Sequence, residues 1–163
     1  MKTLVIYSSI YYGNTKKIAT AIAKGLDALL VTPQQIDMKN LLKNDLIGFG
    51  SGIYSNRHHQ SLFDIVIKIP PVHNIKAFIF STNRDGITNS HKLLRDTLQE
   101  KGFTIVGEFS CKGFEEWRAI KTVGGKGINE GKPDAEDLQR AENFATDLKR
   151  KYTTGEKKLT VNT

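Results

Sequence analysis

The stretch YSSIYYGNTKKIATAIA, residues 7–23, joins an apolar run to a helical pattern through a loop of hydroxyl and amide side chains. The run that leads into it, TLVIY at 3–7, is continuously apolar and β-branched, which predicts a strand buried on both faces. Behind the loop, Ile18, Ile22 and Leu26 recur at helical spacing and predict a helix over 14–28. The unpaired N–H groups at a helix start attract phosphate. The loop therefore predicts an anion site, although ordinary helix capping explains the same residues.

The rest of the chain continues this alternation of apolar strands and amphipathic helices. Further strands are predicted at 28–32, 45–54, 75–82 and 103–111, and further helices at 58–69, 89–102 and 133–152. Strands that alternate with helices pair in parallel, and the helices cover both faces of the sheet. The predicted fold class is therefore α/β with three layers.

The composition fits a water-soluble globular protein. The chain has 163 residues, of which 39% are hydrophobic and 25% charged. No apolar run approaches the ~20 residues that span a bilayer, and the N-terminal run is too short for a signal peptide, so we expect no membrane span and a cytoplasmic location. The single cysteine, Cys111, has no partner for a disulfide within this chain, and no Cys/His set predicts a structural zinc.

The net charge is +7, and residues 149–163 contain five basic residues and one acidic residue. We predict a single domain over 1–152, followed by a basic, flexible tail over 153–163. A basic chain suits acidic partners or nonspecific contact with nucleic acid, whereas a solvated tail explains the same charges. Because no basic face is interleaved with aromatic residues, nucleic acid is the weakest of these interpretations.

Two further loops follow predicted strands and are also polar. In GSGIYSNRHH, 50–59, Tyr54 could stack on a flat ring or could cover the edge of the core. In STNRDGITN, 81–89, the polar groups could meet the edge of a ring, or Asp85 and Gly86 could form an ordinary turn. Loops at the carboxyl ends of parallel strands share one edge of the sheet. Together, the three loops favour a planar phosphorylated ligand.

Several other features have a structural and a functional interpretation. We interpret Cys111 as a buried apolar residue, and His58 with His59 as a solvated helix start rather than a metal pair. Trp117 is expected to pack within its own loop, or else to cover the ligand or a partner surface. The glycine-bearing segment 112–133 is longer than most loops and is therefore either functional or an insertion.

The sequence SSIYYGNTKKIA resembles the FMN phosphate loop of the flavodoxin family, which ends in a glycine–asparagine–threonine triplet, here residues 13–15. The stretch DLIGFGSGIY, 45–54, is similar to the family's third strand and first ring-contacting loop, and STNRDG, 81–86, lies where the second such loop belongs. The resemblance covers most of residues 2–150. It implies a five-stranded parallel sheet in the order 2-1-3-4-5 and noncovalently bound FMN.

Carried over by position, the resemblance assigns roles to thirteen residues and implies neither catalytic nor metal-binding ones. The phosphate would be held by Ser8, Ser9, Gly13, Asn14 and Thr15, with Tyr11 or Tyr12 against the phosphate or ribityl chain. The ring would be lined by Ser51, Gly52, Ile53 and Tyr54, with Tyr54 stacked on it, and its polar edge would meet Thr82 and Asn83. Because flavin reduction adds a proton at N5, a backbone carbonyl near Gly52 could accept a hydrogen bond, and a glycine permits the necessary peptide rotation.

The function that the resemblance implies is electron transfer between redox partner proteins through the flavin, and the basic charge suits partners with acidic docking surfaces. The alternative is an FMN-dependent quinone, NAD(P)H or protoporphyrinogen oxidoreductase whose substrate pocket is built by residues 112–133. A more distant alternative is a basic binding module. The sequence offers no evident substrate base or nucleophile, which favours the redox carrier over an enzyme.

Overall fold

The computed structural model describes residues 1–116 and 127–156. Its strands are β1 (Thr3–Ser8), β2 (Leu29–Val31), β3 (Leu46–Tyr54), β4 (Arg57–His58), β5 (Lys76–Asn83) and β6 (Thr104–Lys112). Its α-helices are α1 (Asn14–Leu26), α2 (Met38–Leu41), α3 (Gln60–Lys68), α4 (Lys92–Glu100) and α5 (Ala135–Glu156). Short 3₁₀ turns occupy Pro33–Gln35 and Asn89–His91.

Strands β1, β2, β3, β5 and β6 form a parallel sheet in the order β2-β1-β3-β5-β6, and the two-residue β4 pairs antiparallel with β3. Counted without the two-residue β4, this is the predicted order 2-1-3-4-5, so the α/β fold class and the topology are confirmed. The parallel register brings the ends of β3, β5 and β6 level, with Ser51 opposite Ser81 and Ser81 opposite Ser110. The loops that follow these strands therefore meet at one edge.

Two apolar clusters, one on each face of the sheet, make the three layers. On one face, Ile18 and Ile22 of α1 pack with Ala141 and Ala145 of α5. On the other face, α3 and α4 pack against the sheet through residues such as Leu62 and Leu94. Alternation along each strand sends successive side chains to opposite clusters, which explains the near-continuous apolar sequence of the central strands.

The predicted elements are all present, and their ends differ by a few residues. The predicted helix over 58–69 begins only at Gln60, because residues 57–58 pair with β3 instead. The predicted helix over 89–102 starts as a 3₁₀ turn before α4. The last helix runs to Glu156 rather than 152, and the remainder of the predicted tail, 157–163, lies outside the described residues. Within the described part of the chain, no helix combines the length and apolar character that crossing a bilayer requires.

Glycine at position 50 is required by close approach rather than by an unusual backbone angle. A Cβ atom added at Gly50 would overlap the ring of Phe80, which is fully buried on the neighbouring strand. We therefore expect Gly50→Ala to lower the free energy of unfolding by about 1–3 kcal/mol. The double variant with Phe80→Leu should lose less than the sum of the two single variants. Urea denaturation of the four proteins measures this coupling, and strict additivity would contradict it.

Candidate functional site

A cleft of about 480 Å³ opens at the carboxyl edge of the sheet, where the loops after β1, β3, β5 and β6 converge. The loops after β1 and β6 meet through Asn14, whose Nδ2 donates a hydrogen bond to the carbonyl oxygen of Phe114 at 2.7 Å. The loops after β5 and β6 meet through an ion pair, in which the Arg84 guanidinium contacts the Glu115 carboxylate at 3.1 Å. The cleft walls are thus held by contacts between segments that lie far apart in the chain.

The first wall of the cleft is the start of α1. Gly13 precedes the helix with a left-handed φ of 68°, and it makes no side-chain cap. The first turn of α1 has no acidic residue, so the positive end of its dipole is not neutralised there. Within the loop, the buried Ser9 hydroxyl has no hydrogen-bond partner among the described residues. A buried hydroxyl in the loop that leads into the unpaired N–H groups of a helix start suits an anionic ligand.

Aromatic side chains border the cleft beside this wall. The ring of Tyr11 lies 6.2 Å from that of Tyr54, and the ring of Tyr12 meets that of Phe114 edge-on at 4.9 Å. Tyr11 and Tyr12 are exposed, whereas Tyr54 is half-buried. Burial raises the pKa of Tyr54, against the opposing effect of a backbone hydrogen bond with Ile10. The three tyrosine rings offer aromatic faces to a flat ligand, and the phenol of Tyr54 stays neutral.

The far wall is the loop after β5, whose conformation is stabilised by hydrogen bonds of the Asn83 side chain. The Asn83 amide donates to the carbonyl oxygen of Ile87 at 2.8 Å and to the Ser110 hydroxyl at 3.2 Å. Its carbonyl oxygen accepts the backbone N–H of Gly86 at 2.6 Å. Beside it, the hydroxyls of Thr82 and Thr15 share a buried hydrogen bond of 2.7 Å. The polar residues predicted for this loop thus serve its own fold as well as the cleft.

Beneath the cleft lies a buried polar cluster, which we call the histidine cluster: His58, His91, Ser51, Ser81, Ser110 and Glu108. The imidazole rings of His58 and His91 lie 5.0 Å apart and have relative exposures of 1% and 0%. The histidines bond to different serines: the Ser51 hydroxyl lies 3.0 Å from His58 Nδ1, and the Ser81 hydroxyl lies 2.8 Å from His91 Nε2. Through these hydrogen bonds the cluster connects the ends of β3, β5 and β6.

The hydrogen-bond directions around His91 follow from the acceptor at one end. Glu108 is ionised, because hydrogen bonds from Arg95 and His91 hold the pKa of its carboxyl below the usual range although burial raises it. Since a carboxylate only accepts, His91 Nδ1 donates to Glu108 at 2.9 Å. Burial lowers the pKa of His91 and keeps the imidazole neutral, so its Nε2 accepts from Ser81. A directed chain therefore runs from the Ser81 hydroxyl through His91 to the partly buried pair of Glu108 and Arg95.

Ser81, His91 and Glu108 have the connectivity of a hydrolytic triad but cannot act as one. The Ser81 hydroxyl is fully buried and also lies 3.0 Å from the hydroxyl of Ser110. A nucleophile must reach a substrate carbonyl, and this hydroxyl is covered on every side by the described residues. The three side chains link β5 and β6 to the turn before α4.

The structure brings most of the predicted site residues together. Nine of them line the cleft: Tyr11, Tyr12, Asn14, Thr15, Gly52, Ile53, Tyr54, Thr82 and Asn83. Gly13 stands at the helix start next to it, and Ser8 is a buried end residue of β1. Ser9 is the loop residue whose hydroxyl has no partner in the described part of the chain, and Ser51 lies beneath the cleft in the histidine cluster.

Other residues of the site were missed or misread from the sequence. The prediction of a solvated helix start at His58 and His59 is wrong for His58, which is buried, while His59 caps α3 by accepting from the backbone N–H of Ser61. Cys111 is buried as predicted, and burial raises the pKa of its thiol to about 12. Trp117 lies outside the described residues. Segment 112–133 contributes Gly113, Phe114 and Glu115 to the cleft, which the sequence left open.

The described residues fit a flavin with a phosphate tail. The Ser9 hydroxyl, which has no partner among residues 1–116 and 127–156, and the start of α1 would hold the phosphate, and a flat ring would lie between the aromatic and glycine-bearing walls. These features define a doubly wound α/β protein with a ligand-sized cleft at the carboxyl edge of its sheet.

Comparison with known proteins gives the family. A model described as the flavodoxin domain matches residues 4–110, so the chain belongs to the flavodoxin family. It is also 43% identical over 150 residues to an uncharacterized protein of Methanocaldococcus jannaschii, a match that covers 91% of this chain and 98% of that protein. The family fold implies a flavin cofactor.

Solved structures share the fold at low sequence identity. A flavodoxin from the domain Archaea superposes with a TM-score of 0.70 at 19% identity, covering 93% of this chain and 98% of its own. Oxidised flavodoxin 2 from Bacillus cereus gives 0.65 at 23% identity, with 93% and 99% covered. The rubredoxin oxygen:oxidoreductase of Desulfovibrio gigas gives 0.68 at 16% identity, with 94% of this chain but 36% of that chain covered.

Proposed function

We propose that the cleft binds FMN and that the protein carries electrons between redox partner proteins. The observation that supports this most is the convergence, at one sheet edge, of an uncapped helix start, a buried hydroxyl without a described partner and an aromatic-lined cleft. Each feature has an ordinary structural explanation, but an anion site beside a slot for a flat ring suits a phosphorylated flavin.

When bound, FMN supplies the redox chemistry, because it accepts and gives up electrons singly or in pairs. The chain contributes binding and orientation. The N–H groups at the start of α1, with Ser9 and Asn14, would hold the phosphate, and the loop from Gly52 to Tyr54 would border the ring. Thr82 and Asn83 would meet the polar edge of the ring, and the tether between Arg84 and Glu115 would keep that wall in place.

Titration with FMN followed by stepwise anaerobic reduction tests the proposed function. We expect stoichiometric quenching of FMN fluorescence and a shifted visible spectrum, because the aromatic walls would enclose the ring. Reduction should then proceed in two separate one-electron steps. Failure to bind FMN would contradict the proposal, and a single two-electron step would contradict the electron-carrier part of it.

A second candidate function is an FMN-dependent oxidoreductase, which needs a substrate site beside the ring, and the second cavity among the described residues does not supply one. This cavity measures about 280 Å³ and is lined by Tyr12, Asn14, Lys17, Phe114, Glu130, Gly131 and Lys132. It shares Tyr12, Asn14 and Phe114 with the cleft, so it lies beside the proposed phosphate and not beside the loops that would border the ring. Steady-state turnover with NAD(P)H and a quinone distinguishes this enzyme from a carrier that only exchanges electrons with proteins.

The partner proteins that we propose have acidic docking surfaces. The support is the net charge of +7, which steers association with negatively charged proteins. The rate of electron exchange with an acidic redox protein should fall as ionic strength rises, because salt screens that attraction.

A further inference from the structure

The hydroxyl of Ser51 lies at the junction between the cleft and the histidine cluster. It is fully buried and lies 2.6 Å from the carbonyl oxygen of Gly52, 3.0 Å from His58 Nδ1 and 2.9 Å from the backbone nitrogen of His59. Gly52 lines the cleft, whereas Ser51 does not. The contacts of one buried hydroxyl thus connect a cleft-lining peptide to a buried imidazole.

Counting protons fixes the direction of each of these hydrogen bonds. The backbone N–H of His59 can only donate and the carbonyl of Gly52 can only accept, so the single Ser51 proton points to Gly52. A hydroxyl oxygen has two lone pairs, and His59 uses one of them. His58 Nδ1 must then carry a proton and donate to the other. In this arrangement the Ser51 hydroxyl makes all three of its hydrogen bonds.

The opposite tautomer of His58 would release the Gly52 carbonyl. If His58 carried its proton on Nε2, its bare Nδ1 would compete for the Ser51 proton, and the carbonyl would lose its buried donor. His58 Nε2 has no hydrogen-bond partner among residues 1–116 and 127–156, so no described group holds a proton there. Only the Nδ1–H tautomer satisfies Ser51 and Gly52 together.

We propose that His58 is a positioning residue that acts through Ser51 to hold the Gly52 peptide in the orientation seen in this structure. The peptide borders the cleft at the end of β3, where Gly52 pairs with Thr82 of β5, and the Ser51 hydroxyl adds a side-chain hydrogen bond to its carbonyl. The direction of this peptide decides whether a carbonyl oxygen or an N–H faces a ligand ring. The role of His58 toward a bound ring rests on the proposed function.

The neighbouring imidazole of His91 restricts the position of the His58 ring. His91 packs against His58 at 5.0 Å and is itself held at both ring nitrogens, by Glu108 at 2.9 Å and by Ser81 at 2.8 Å. Glu108 is held in turn by the Arg95 guanidinium at 2.9 Å. The His58 ring therefore packs against a side chain that cannot rotate without breaking two hydrogen bonds, one buried and one partly buried.

Two variants separate hydrogen bonding at Nδ1 from the bulk of the ring. In His58→Asn, the side-chain amide nitrogen can take the place of Nδ1 and donate to Ser51, whereas the amide of His58→Gln reaches toward the position of Nε2. The full-length proteins are loaded with FMN, and the dissociation constant and both one-electron potentials are measured. We expect His58→Gln to weaken FMN binding about tenfold and to shift the potentials. His58→Asn should stay within about threefold of the wild type.

Similar losses in both variants, or none in either, would overturn the proposal, because a space-filling role does not distinguish the two amides. A second measurement needs no flavin and no variant: long-range ¹H–¹⁵N correlation in the wild-type protein reports the tautomer of His58. We expect the proton on Nδ1, and a proton on Nε2 would overturn the proposal. If the wild type fails to bind FMN while the tautomer is as expected, the proposed function fails and the assignment of His58 to the Gly52 peptide stands.

Discussion

Replacing Asn14 with aspartate will weaken FMN binding by about a hundredfold. The Asn14 amide donates to the carbonyl oxygen of Phe114 at 2.7 Å, next to the start of α1 where we propose the phosphate lies. A carboxylate at this position cannot donate, and it would repel both that carbonyl and a dianionic phosphate. A lost charge-assisted contact plus repulsion amounts to about 3 kcal/mol, which corresponds to the stated factor. Fluorescence titration of the apoprotein with FMN gives the ratio.

Riboflavin, which has the ring but no phosphate, is the matched control ligand for Asn14→Asp. Its affinity should change by less than about threefold, because the repulsion with phosphate is absent and only the lost contact and the repulsion at the Phe114 carbonyl remain. The fold should persist, since an acidic residue in the first turn of a helix is stabilising by about 0.3–1 kcal/mol. The variant Asn14→Ala removes the donor without adding charge. Its affinity for FMN should fall between that of the wild type and that of Asn14→Asp. Equal losses for FMN and riboflavin would place the phosphate elsewhere.

The elements of the fold could be predicted because each has a local cause. Buried parallel strands are continuous apolar runs, and helices α1 and α3 show an apolar stripe with period 3.6. Three polar loops after three strands then had to share an edge, since parallel strands end together. The nine cleft-lining residues that were predicted follow from this argument and from the resemblance of the loops to those of the family.

The buried polar network could not be predicted, because it depends on register across strands. Ser51, Ser81 and Ser110 become neighbours only through the pairing of β3, β5 and β6. His58 is drawn inward because residues 57–58 pair with the end of β3, a two-residue bridge that has no periodic signature. One feature of the sequence did point to the network. By the alternation of side chains along each strand, these serines lie on the same face of the sheet as the buried apolar residues before them, and a polar side chain there needs a buried partner.

The walls of the cleft depend on still longer separations. The contact between Asn14 and Phe114 spans 100 residues, and that between Arg84 and Glu115 spans 31. An ion pair with both side chains about half exposed contributes little to stability, so its effect is to orient two loops rather than to hold the fold. Local sequence patterns identify the loops but not the contacts that join them.

The histidine cluster also makes the stability of the protein sensitive to acid. Burial, together with the neighbouring His91, lowers the pKa of His58 to about 3, and burial lowers the pKa of His91 as well. In the unfolded chain a histidine titrates near pH 6.5. Below that pH the two histidines bind protons in the unfolded state but stay neutral in the folded state. The free energy of unfolding must therefore fall as the pH is lowered from about 6.5 toward 3.

Each buried neutral histidine contributes a slope of about 1.4 kcal/mol per pH unit. We therefore expect His58 alone to lower the free energy of unfolding by about 2 kcal/mol between pH 6.5 and pH 5, with His91 acting in the same direction. Urea denaturation of the apoprotein across pH 5–7 measures the slope above the range in which carboxylates titrate. In His58→Asn, the share of the slope due to His58 should vanish while that of His91 remains. A wild-type stability that stays flat over this range would mean that the folded cluster accepts the protons, and the neutral arrangement of its hydrogen bonds would be wrong.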